Sequence, residues 1–351
     1  MNPHAVHCMP PLPLEGTLAA SRTPGAGLQR RAVLRAGAAL APLGAFGPAF
    51  AQAGNTFVWS GFPAGGLGDQ VTRPLVEQMR GKLPQNIVYD AKPGAAGRIA
   101  AEFVKRSTPD AGNLLQCPGG VMTLHPHVFK KLTYDPLADF VPVAGLCSFT
   151  FVFTAGPGLP AEVRTVEDYV KWAKANPGQA NYGVPSTGSA LHFAGMLLSR
   201  ATGAEMRTIP YKGGGPLLTD LLGGQVPVSF NVVSEVLPHI RAGKLRALAV
   251  TSPTRWKALP DTPNLVELGY KDIAMVEWLG WFAPAGTPTA RVAPLNAAVN
   301  EALASSAMTE SLARNGLEPF RVSADALGAT VRREYAYWAQ AAKATNFTPE
   351  D

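Results

Sequence analysis

Cysteine is scarce in this chain. Only three of the 351 residues are cysteine, and Cys117 and Cys147 are the two that follow residue 51. So few cysteines exclude a disulfide-rich secreted scaffold. A bridge between two positions this far apart in sequence needs a short Cα separation, which the sequence does not reveal. We expect two buried thiols, with a single disulfide as the alternative.

Charged residues are also few. They make up 16% of the chain, and the formal net charge is +6. Residues 1–51 hold four arginines and one glutamate, so +3 of that charge lies there and +3 in the remainder. This charge is too weak to indicate a nucleic-acid partner, and no basic run or mixture of basic and aromatic residues supports one. A small anionic ligand is compatible with it.

The motifs of several catalytic and metal sites are missing. No Gly-x-Ser-x-Gly elbow surrounds Ser186, and no acid is placed to orient His192 as a base. His125 and His127 have no cysteine or acid at ligand spacing beside them, so we expect a surface loop rather than a metal site. Neither a metal nor another cofactor is expected. An exported hydrolase or isomerase that uses Ser186, His192 or Glu235 is the less favoured alternative to a binding protein.

The chain also lacks a convincing membrane span. The apolar segment over residues 36–50 is short and rich in glycine and proline. It follows Arg30 and Arg31, a twin-arginine pattern, and it ends at Ala49-Phe50-Ala51, where small residues suit a signal peptidase. We expect residues 1–51 to be a cleaved signal for export to the periplasm, by the twin-arginine or the Sec route. The remaining 300 of the 351 residues suffice for two modest α/β lobes or one large one.

The stretch over residues 56–79 organises the rest of the chain. Residues 57–59 predict a buried strand, a glycine-rich turn follows, and apolar residues at helical spacing predict a helix, which Pro74 should delay or bend. In an open α/β sheet such a turn presents free backbone N–H groups and the positive end of a helix dipole to an anion. Its glycines stand too close together for a dinucleotide motif. We predict one wall of a carboxylate pocket, with a plain βα turn as the alternative. The residues of this wall are Pro63, Ala64, Gly65 and Gly66.

The same arrangement of strand, turn and helix recurs in the second half of the chain. A strand over residues 180–184 leads into a turn with three hydroxyls, and a strand over residues 206–210 leads into a tyrosine, a lysine and three glycines. Hydroxyl and N–H groups at a helix start suit a carboxylate, although ordinary helix capping explains them as well. A buried acid at position 235 would repel an anion, whereas an acid on the surface there would only favour the helix start. The candidates from these segments are Ser186, Thr187, Gly188, Ser189, His192, Tyr211, Lys212, Asn231 and Glu235.

Two helix starts carry strong local signals. Thr165, with Asp168 three residues later, predicts a capping box. Ser323 predicts the N-cap of a C-terminal helix that extends to about residue 342.

Alternating strands and helices predict an α/β fold with two lobes. Further strands are predicted over residues 85–89, 113–117 and 141–153, and the glycine- and proline-rich residues 155–160 are predicted to cross between lobes. The apolar, aromatic stretch over residues 276–283 is predicted to be a strand that returns. The expected lobes are residues 52–154 with 277–351, and residues 155–276.

Seven segments carry a pattern that covers nearly all of the chain after residue 51. They are Phe62-Pro63-Ala64-Gly65-Gly66 with Asp69, and residues 92–97, 134–140, 210–216, 219–226, 240–252 and 283–288. In this order they resemble the solute receptors of tripartite tricarboxylate transporters, the Bordetella uptake gene family. Each segment alone is moderately specific, and their shared order makes the match specific.

The resemblance implies a non-enzymatic periplasmic binding protein of the type II-like class. Its two α/β lobes, each a mixed sheet flanked by helices and joined by crossing strands, close on a small carboxylate and deliver it to membrane permease subunits. In the family the turn matching residues 62–66 holds a carboxylate partly through ordered waters. The opposite lobe contributes the turn matching residues 186–189, with Tyr211 and Asn231 near the pocket. A monomer is expected, and a periplasmic sensor that signals to a membrane kinase is the alternative.

Three single positions depart from the family pattern, and so does the segment over residues 110–113, where Asp-Ala-Gly-Asn alters the customary Asp-Gly-Tyr-Thr. Gly68 replaces a common hydroxyl residue before Asp69, Asn231 replaces a common aspartate, and Glu235 stands where a small residue is usual. These departures predict an altered ligand. The candidate ligands are di- or tricarboxylates, aromatic acids and amino-acid-like compounds. If Glu235 faces the pocket, a ligand with an amine or a pyridine-type nitrogen is favoured over citrate.

Overall fold

The computed structural model describes residues 54–344, 347 and 349. The predicted export signal at residues 1–51 lies outside them. Within the described part, strands and helices alternate and form two mixed sheets flanked by helices, which confirms the predicted α/β class. No helix in that part combines the length and the apolar character that crossing a membrane would need.

Six strands form the first sheet. They are β1 (Asn55–Ser60), β2 (Asn86–Ala91), β3 (Asn113–Pro118), β4 (Phe140–Phe149), β10 (Glu277–Pro284) and β11 (Glu318–Pro319). Their spatial order is β11-β4-β10-β3-β1-β2. β1 runs parallel to β2 and β3, whereas β10 runs antiparallel to β3 and β4. The carboxyl ends of β1 and β3 therefore share one edge of this sheet.

Five strands form the second sheet. They are β5 (Phe151–Ala155), β6 (Asn181–Val184), β7 (Arg207–Pro210), β8 (Val228–Val232) and β9 (Arg246–Val250). Their spatial order is β7-β6-β8-β5-β9. β6 runs parallel to β7 and β8, and β5 runs antiparallel to β8 and β9. The carboxyl ends of β6, β7 and β8 thus also share one edge.

Helices cover both sheets. In the described residues they are α1 (Leu67–Met79), α2 (Arg98–Lys105), α3 (Gly119–Thr123), α4 (His125–Val128), α5 (Val166–Ala175), α6 (Ala190–Thr202), α7 (Gly214–Leu222), α8 (Val233–Arg241), α9 (Thr289–Leu303), α10 (Ser306–Arg314) and α11 (Ala324–Ala344). Helices α1 and α3 follow β1 and β3, and α6, α7 and α8 follow β6, β7 and β8. The shared strand edges are therefore also the places where these helices begin.

Helix α1 differs from the predicted helix at its start. It begins at Leu67, directly after its N-cap residue Gly66, and continues through Pro74 without interruption. The expected late start is therefore wrong. Val71 and Leu75 are fully buried, and the burial of this apolar face outweighs the one backbone hydrogen bond that proline removes.

The predicted strand over residues 141–153 is two strands, β4 in the first sheet and β5 in the second. The chain changes sheets at Thr150, before the crossing predicted at residues 155–160. The Thr150 hydroxyl lies 3.3 Å from Oγ1 of Thr251 and accepts a hydrogen bond from the Ser252 N–H at 3.0 Å. These contacts tie the outgoing crossing to the segment that follows β9. A continuous apolar run suits a strand of either sheet, so it does not show where one sheet ends.

Several local predictions are confirmed. The Thr165 hydroxyl accepts a hydrogen bond from the Asp168 N–H at 3.0 Å, and the Asp168 carboxylate accepts one from the Thr165 N–H at 3.0 Å. Ser323 caps the start of α11 through its hydroxyl. Cys117 and Cys147 are buried free thiols. Such features depend on residues close together in sequence or on simple burial, and both are visible in the sequence.

The prediction of a surface loop at His125 and His127 is wrong. Both residues belong to α4. His125 is buried with Nδ1 3.2 Å from the Tyr134 hydroxyl, and Nε2 of His127 lies 3.0 Å from the Tyr335 carbonyl oxygen. Burial lowers the pKa of His125 to about 3, so this ring is neutral. The turn-rich sequence did not show that α11 packs over this segment. Among the described residues, no three His, Cys, Asp or Glu side chains stand together as a metal site would require.

Candidate functional site

A cavity of about 560 Å³ lies between the two sheets. Both sheets contribute to its wall through residues that follow β1, β3, β6, β7 and β8. Much of the wall is apolar, with Phe62, Phe149, Phe151, Leu191 and Leu218 among the lining residues. A cavity of this size and character suits a small metabolite with an apolar body.

Four helices of nine or more residues begin at this cavity: α1, α6, α7 and α8. Within the described residues, no side chain caps the starts of α1, α7 and α8, whereas the Ser189 hydroxyl caps α6 by accepting a hydrogen bond from the His192 N–H at 3.3 Å. The first N–H groups of a helix carry a partial positive charge, so four such starts favour an anion in the cavity. Lining residues at these starts are Gly66, Leu67, Gly68, Ser189, Ala190, Gly213, Gly214, Val232, Ser234 and Glu235.

The turn after β1 lies along the cavity, and all five of its candidate residues line it. They are Phe62, Pro63, Ala64, Gly65 and Gly66. Asp69 does not line the cavity. Its Oδ2 accepts a hydrogen bond from the Gly65 N–H at 3.1 Å, and its Oδ1 lies 2.6 Å from Nε of Arg73. Asp69 therefore holds the turn in shape from behind instead of touching the cavity.

Four candidates from the second half of the chain also line the cavity: Ser186, Ser189, Lys212 and Glu235. The Ser189 hydroxyl donates to the Ser186 carbonyl at 2.8 Å, which fixes the turn between β6 and α6. Lys212 carries the only permanent positive charge among the lining residues of the described chain. Its side chain is exposed, so its charge acts at the mouth of the cavity.

The other candidates from the second half are not among the lining residues. They are Thr187, Gly188, His192, Tyr211 and Asn231. The Gly188 N–H donates to Nδ1 of His192 at 3.2 Å, and the Tyr211 hydroxyl donates to Asp220 at 3.0 Å, so these groups stabilise their own turns. At the end of β8 the neighbouring Val232 lines the cavity in place of Asn231. Successive side chains of a strand point to opposite faces, so a candidate one residue away faces the other side.

Six polar lining residues of the described chain were not among the candidates for ligand binding: Ser60, Gln70, Gln116, His125, Ser234 and Glu277. Gln116 and Glu277 lie inside apolar strands, β3 and β10. A buried polar residue in such a strand needs a hydrogen-bond partner. A single polar residue in an apolar strand could therefore have been recognised in the sequence as a candidate. Ser60 ends β1 directly before the glycine-rich turn, which is a second usable signal.

Gln116 organises a polar network beneath the first turn. Its Oε1 accepts hydrogen bonds from Nε1 of Trp281 at 3.0 Å and from the Thr72 hydroxyl, and its Nε2 donates to the Tyr89 hydroxyl at 3.4 Å. Gly68 leaves space for this network, because a Cβ at position 68 would lie 2.5 Å from the Tyr89 hydroxyl oxygen and 2.7 Å from Nε2 of Gln116. Gly68 is one of the departures from the family pattern, and the Tyr89 hydroxyl occupies the space that a side chain at position 68 would fill.

Replacing Gly68 by serine is expected to lower the free energy of unfolding by about 1–3 kcal/mol, because the new Cβ overlaps two polar side chains. Urea unfolding measures this loss. Tyr89→Phe removes one of the two overlapping atoms and should recover part of the loss in the double variant. Gly178→Ser is the matched control, since nothing lies within 4 Å of a Cβ there. Equal losses for Gly68→Ser and Gly178→Ser would contradict the steric explanation.

Two acids line the cavity, one from each sheet's side. Burial raises the pKa of Glu277, and the negative charge of the neighbouring Glu334 raises it further, to about 8. The hydrogen bonds that Glu277 accepts from the Trp278 N–H and from the start of α3 lower this pKa, but by less. Burial raises the pKa of Glu235 to about 7. Glu235 is one of the residues that line the cavity, and facing the pocket was the condition for favouring a nitrogen-bearing ligand.

The rims of the cavity meet at two places. A Cβ at Gly213, before α7, would lie 3.9 Å from Cδ of Pro63, in the turn after β1. A Cβ at Gly188 would lie 3.0 Å from Cζ of Phe129, directly after α4. Each contact joins a turn that borders the first sheet to a turn that borders the second. The walls of the two sides therefore come close together at these two places.

This sequence has relatives of known family and structure. It matches the model described as "Tripartite tricarboxylate transporter family receptor" over residues 71–347. The chain belongs to this family. Protein BugT of Bordetella pertussis is 32% identical over 285 residues, which cover 81% of this chain and 87% of BugT. This agreement confirms the family resemblance drawn from the seven sequence segments.

Solved structures support the same family. The R. palustris protein Rpa4515, solved with adipate, superposes with a TM-score of 0.80 at 31% identity and covers 85% of this chain and 99% of its own. MatC from Rhodopseudomonas palustris, solved with bound malate, superposes with a TM-score of 0.76 at 29% identity and covers 82% and 99%. As a member of this receptor family, the chain is a solute-binding protein and not an enzyme. The predicted fold class and the non-enzymatic function are thereby confirmed.

Proposed function

We propose that this chain is an exported receptor that binds a small organic acid between its two sheets and delivers it to the membrane subunits of a tripartite tricarboxylate transporter. The observation that carries the proposal is the convergence of four helix N-termini on one cavity of about 560 Å³. Family membership supports the transporter as partner. The adipate and malate of the two structural neighbours support a carboxylate as the ligand.

The proposed mechanism is closure of two lobes around the ligand. Residues 54–149 with 277–344 form the first lobe and residues 151–276 the second, because the chain crosses at Thr150, earlier than the sequence predicted, and again between β9 and β10. Each lobe offers N–H groups on only one side of the cavity. A ligand that touches both sides binds the closed arrangement more tightly, so it shifts the population toward closure.

The proposed contacts divide by type. The turn of Phe62, Pro63, Ala64, Gly65 and Gly66 receives a carboxylate through backbone N–H groups. Ser186 contributes a hydroxyl from the other side, Ser189 lines the wall there while its own hydroxyl donates to the Ser186 carbonyl, and Lys212 attracts the anion at the mouth. Asp69 and His192 act indirectly by fixing their turns. A cleaved signal at residues 1–51, a periplasmic location and a monomeric state belong to the same proposal.

Calorimetry with a panel of di- and tricarboxylates, aromatic acids and amino acids tests the proposal. We expect at least one acid to bind, and we expect Ser189→Leu to weaken that binding about 100-fold or more because the larger side chain enters the cavity. Ser305→Leu is the matched control. Ser305 caps α10 by accepting a hydrogen bond from the Met308 N–H at 3.2 Å, and it does not line the cavity.

Both variants lose a helix cap and should each lose about 1 kcal/mol of stability. Only the first should lose binding. Wild-type affinity in Ser189→Leu would place the ligand elsewhere. Failure of every acid in the panel would overturn the proposal as a whole.

A further inference from the structure

The carboxylate of Glu235 has no hydrogen-bond or ion-pair partner among the described residues, although it lines the cavity. It rests on the glycine turn that begins α7: a Cβ at Gly214 would lie 2.3 Å from each of its two oxygens. Glu235 is half-buried, and withdrawing an unpaired carboxylate from water is costly, so such groups are normally paired. Its position in the first turn of α8 offsets only a small part of that cost. No described residue supplies a partner for the Glu235 carboxylate, so a bound ligand is the group that would supply one.

A second unpaired polar group stands beside it. The Ser234 hydroxyl is buried, has no hydrogen-bond partner within the described residues, and belongs to a residue that lines the cavity. Ser234 and Glu235 are consecutive residues in the first turn of the nine-residue helix α8. Together they offer a ligand a charged acceptor and a hydroxyl.

The remaining charges of the wall argue against a second anionic group at this end of the cavity. Glu277 keeps its proton up to about pH 8, His125 is neutral, and Lys212 is exposed at the mouth, so none of them places a cation beside Glu235. A second carboxylate of the ligand placed against Glu235 would meet a like charge without a compensating cation. A nitrogen that carries hydrogen would instead pair with the carboxylate of Glu235 through a charge-assisted hydrogen bond.

We propose that the ligand of this receptor carries, in addition to its carboxylate, an ammonium or amide nitrogen that donates a hydrogen bond to the carboxylate of Glu235. This inference rests on the proposed function, because it assigns a ligand class to the same cavity. The carboxylate end lies at the uncapped helix starts, the nitrogen lies at Glu235 and Ser234, and the aromatic and aliphatic wall covers the body between them.

Calorimetry with matched compounds tests this assignment. The probes share a carbon skeleton and differ in the nitrogen: succinate, succinamate and aspartate form one series, and phenylpropionate and phenylalanine form another. We expect a nitrogen-bearing member to bind wild-type protein at least about tenfold tighter than its plain acid. Aspartate and succinamate distinguish an ammonium from an amide.

Glu235→Gln should remove that preference, because it removes the negative charge at nearly constant size. The nitrogen-bearing compound should bind the variant about tenfold or more weakly, and the plain acid should bind it as tightly as the wild type or more tightly. Glu167→Gln is the matched control, since Glu167 lies exposed in the first turn of α5. It should leave every affinity unchanged, and thermal unfolding should show that both variants are folded.

The pH dependence gives a second readout. A donor nitrogen needs ionised Glu235, so its affinity should rise as pH increases through about 7, the pKa of Glu235. A ligand anion bound directly against Glu235 would instead need the protonated form of Glu235, so its affinity would fall as pH increases through about 7. Glu277, His125, Lys212 and Asp220 are the other charged or titratable groups on the cavity wall or on α7. Their contributions are shared by wild type and Glu235→Gln, so the difference between the two pH profiles reports Glu235 alone.

The possible outcomes separate this inference from the proposed function. If plain di- or tricarboxylates bind tightest and Glu235→Gln leaves the order of affinities unchanged, the nitrogen assignment is overturned while the carboxylate receptor stands. If no acid of either series or of the wider panel binds, the proposed function itself is overturned.

Discussion

Replacing Trp281 by alanine is expected to lower the free energy of unfolding by about 3–5 kcal/mol. Trp281 is the largest of the fully buried side chains among the described residues and lies in β10, between β3 and β4. Its removal leaves a large cavity in the first sheet's core. It also takes away the hydrogen bond that Nε1 donates to Oε1 of Gln116 at 3.0 Å, beneath the first turn of the candidate site. Urea unfolding followed by circular dichroism measures the loss.

Tyr337→Ala is the control for Trp281→Ala. Tyr337 is an aromatic residue of α11 whose surface is 46% exposed, so its truncation should cost less than about 1 kcal/mol. Trp281→Phe separates packing from hydrogen bonding, since it keeps most of the ring volume and loses the donor. A loss for Trp281→Ala no larger than that for Tyr337→Ala would contradict the central role of this side chain.

The second large effect is a pH dependence of stability that originates at Glu277. Its pKa is about 8 in the folded protein, against an ordinary value of 4.5, because the carboxyl is buried and faces Glu334. Between these two values the folded protein keeps a proton that the unfolded chain releases. The free energy of unfolding therefore falls as pH rises from about 4.5 to about 8 and loses no more above that range.

Glu277→Gln removes this titration. The stability of wild type relative to Glu277→Gln should fall by about 2–4 kcal/mol between pH 5 and pH 9, of the order that a shift of several pKa units implies. Urea unfolding at intervals across this range measures the difference. Glu334, whose pKa burial also raises, acts in the same direction, and Glu334→Gln should flatten the profile in part.

Glu310→Gln is the matched control for Glu277→Gln, because Glu310 is an exposed acid of α10. Its pH profile should follow that of wild type. If Glu277→Gln also kept the wild-type profile, the Glu277 carboxyl would be ionised in the folded protein and would add a negative charge to the cavity wall.

The sequence placed the turns of the candidate site more accurately than the individual side chains within them. The turn after β1 and the starts of α6, α7 and α8 all border the cavity. Yet Gly188 and Tyr211 use their donors within their own turns, and Asn231 faces away. A turn is recognisable because it follows from nearby residues. The direction of each side chain depends on the twist and on the partners of its strand.

The two acids show the same division. Glu235 was visible in the sequence as a departure from the family pattern, and its effect depended on whether it faced the pocket. Only the fold places it against Gly214, without a partner among the described residues. Glu277 was missed altogether, because its strand is otherwise apolar and aromatic. Its hydrogen bonds to the start of α3 and its proximity to Glu334 arise only in the folded protein.

By itself the sequence determined the α/β class, the helix caps at Thr165 and Ser323, the glycine-rich turns and the receptor family. Each depends on short-range hydrogen bonding, on hydrophobic periodicity, or on motifs that keep their order. Tertiary structure alone decided that the apolar run around Thr150 divides between two sheets. It also decided that Tyr89 fills the space beside Gly68. These outcomes depend on contacts between residues far apart in the chain, and the local pattern is compatible with more than one such arrangement.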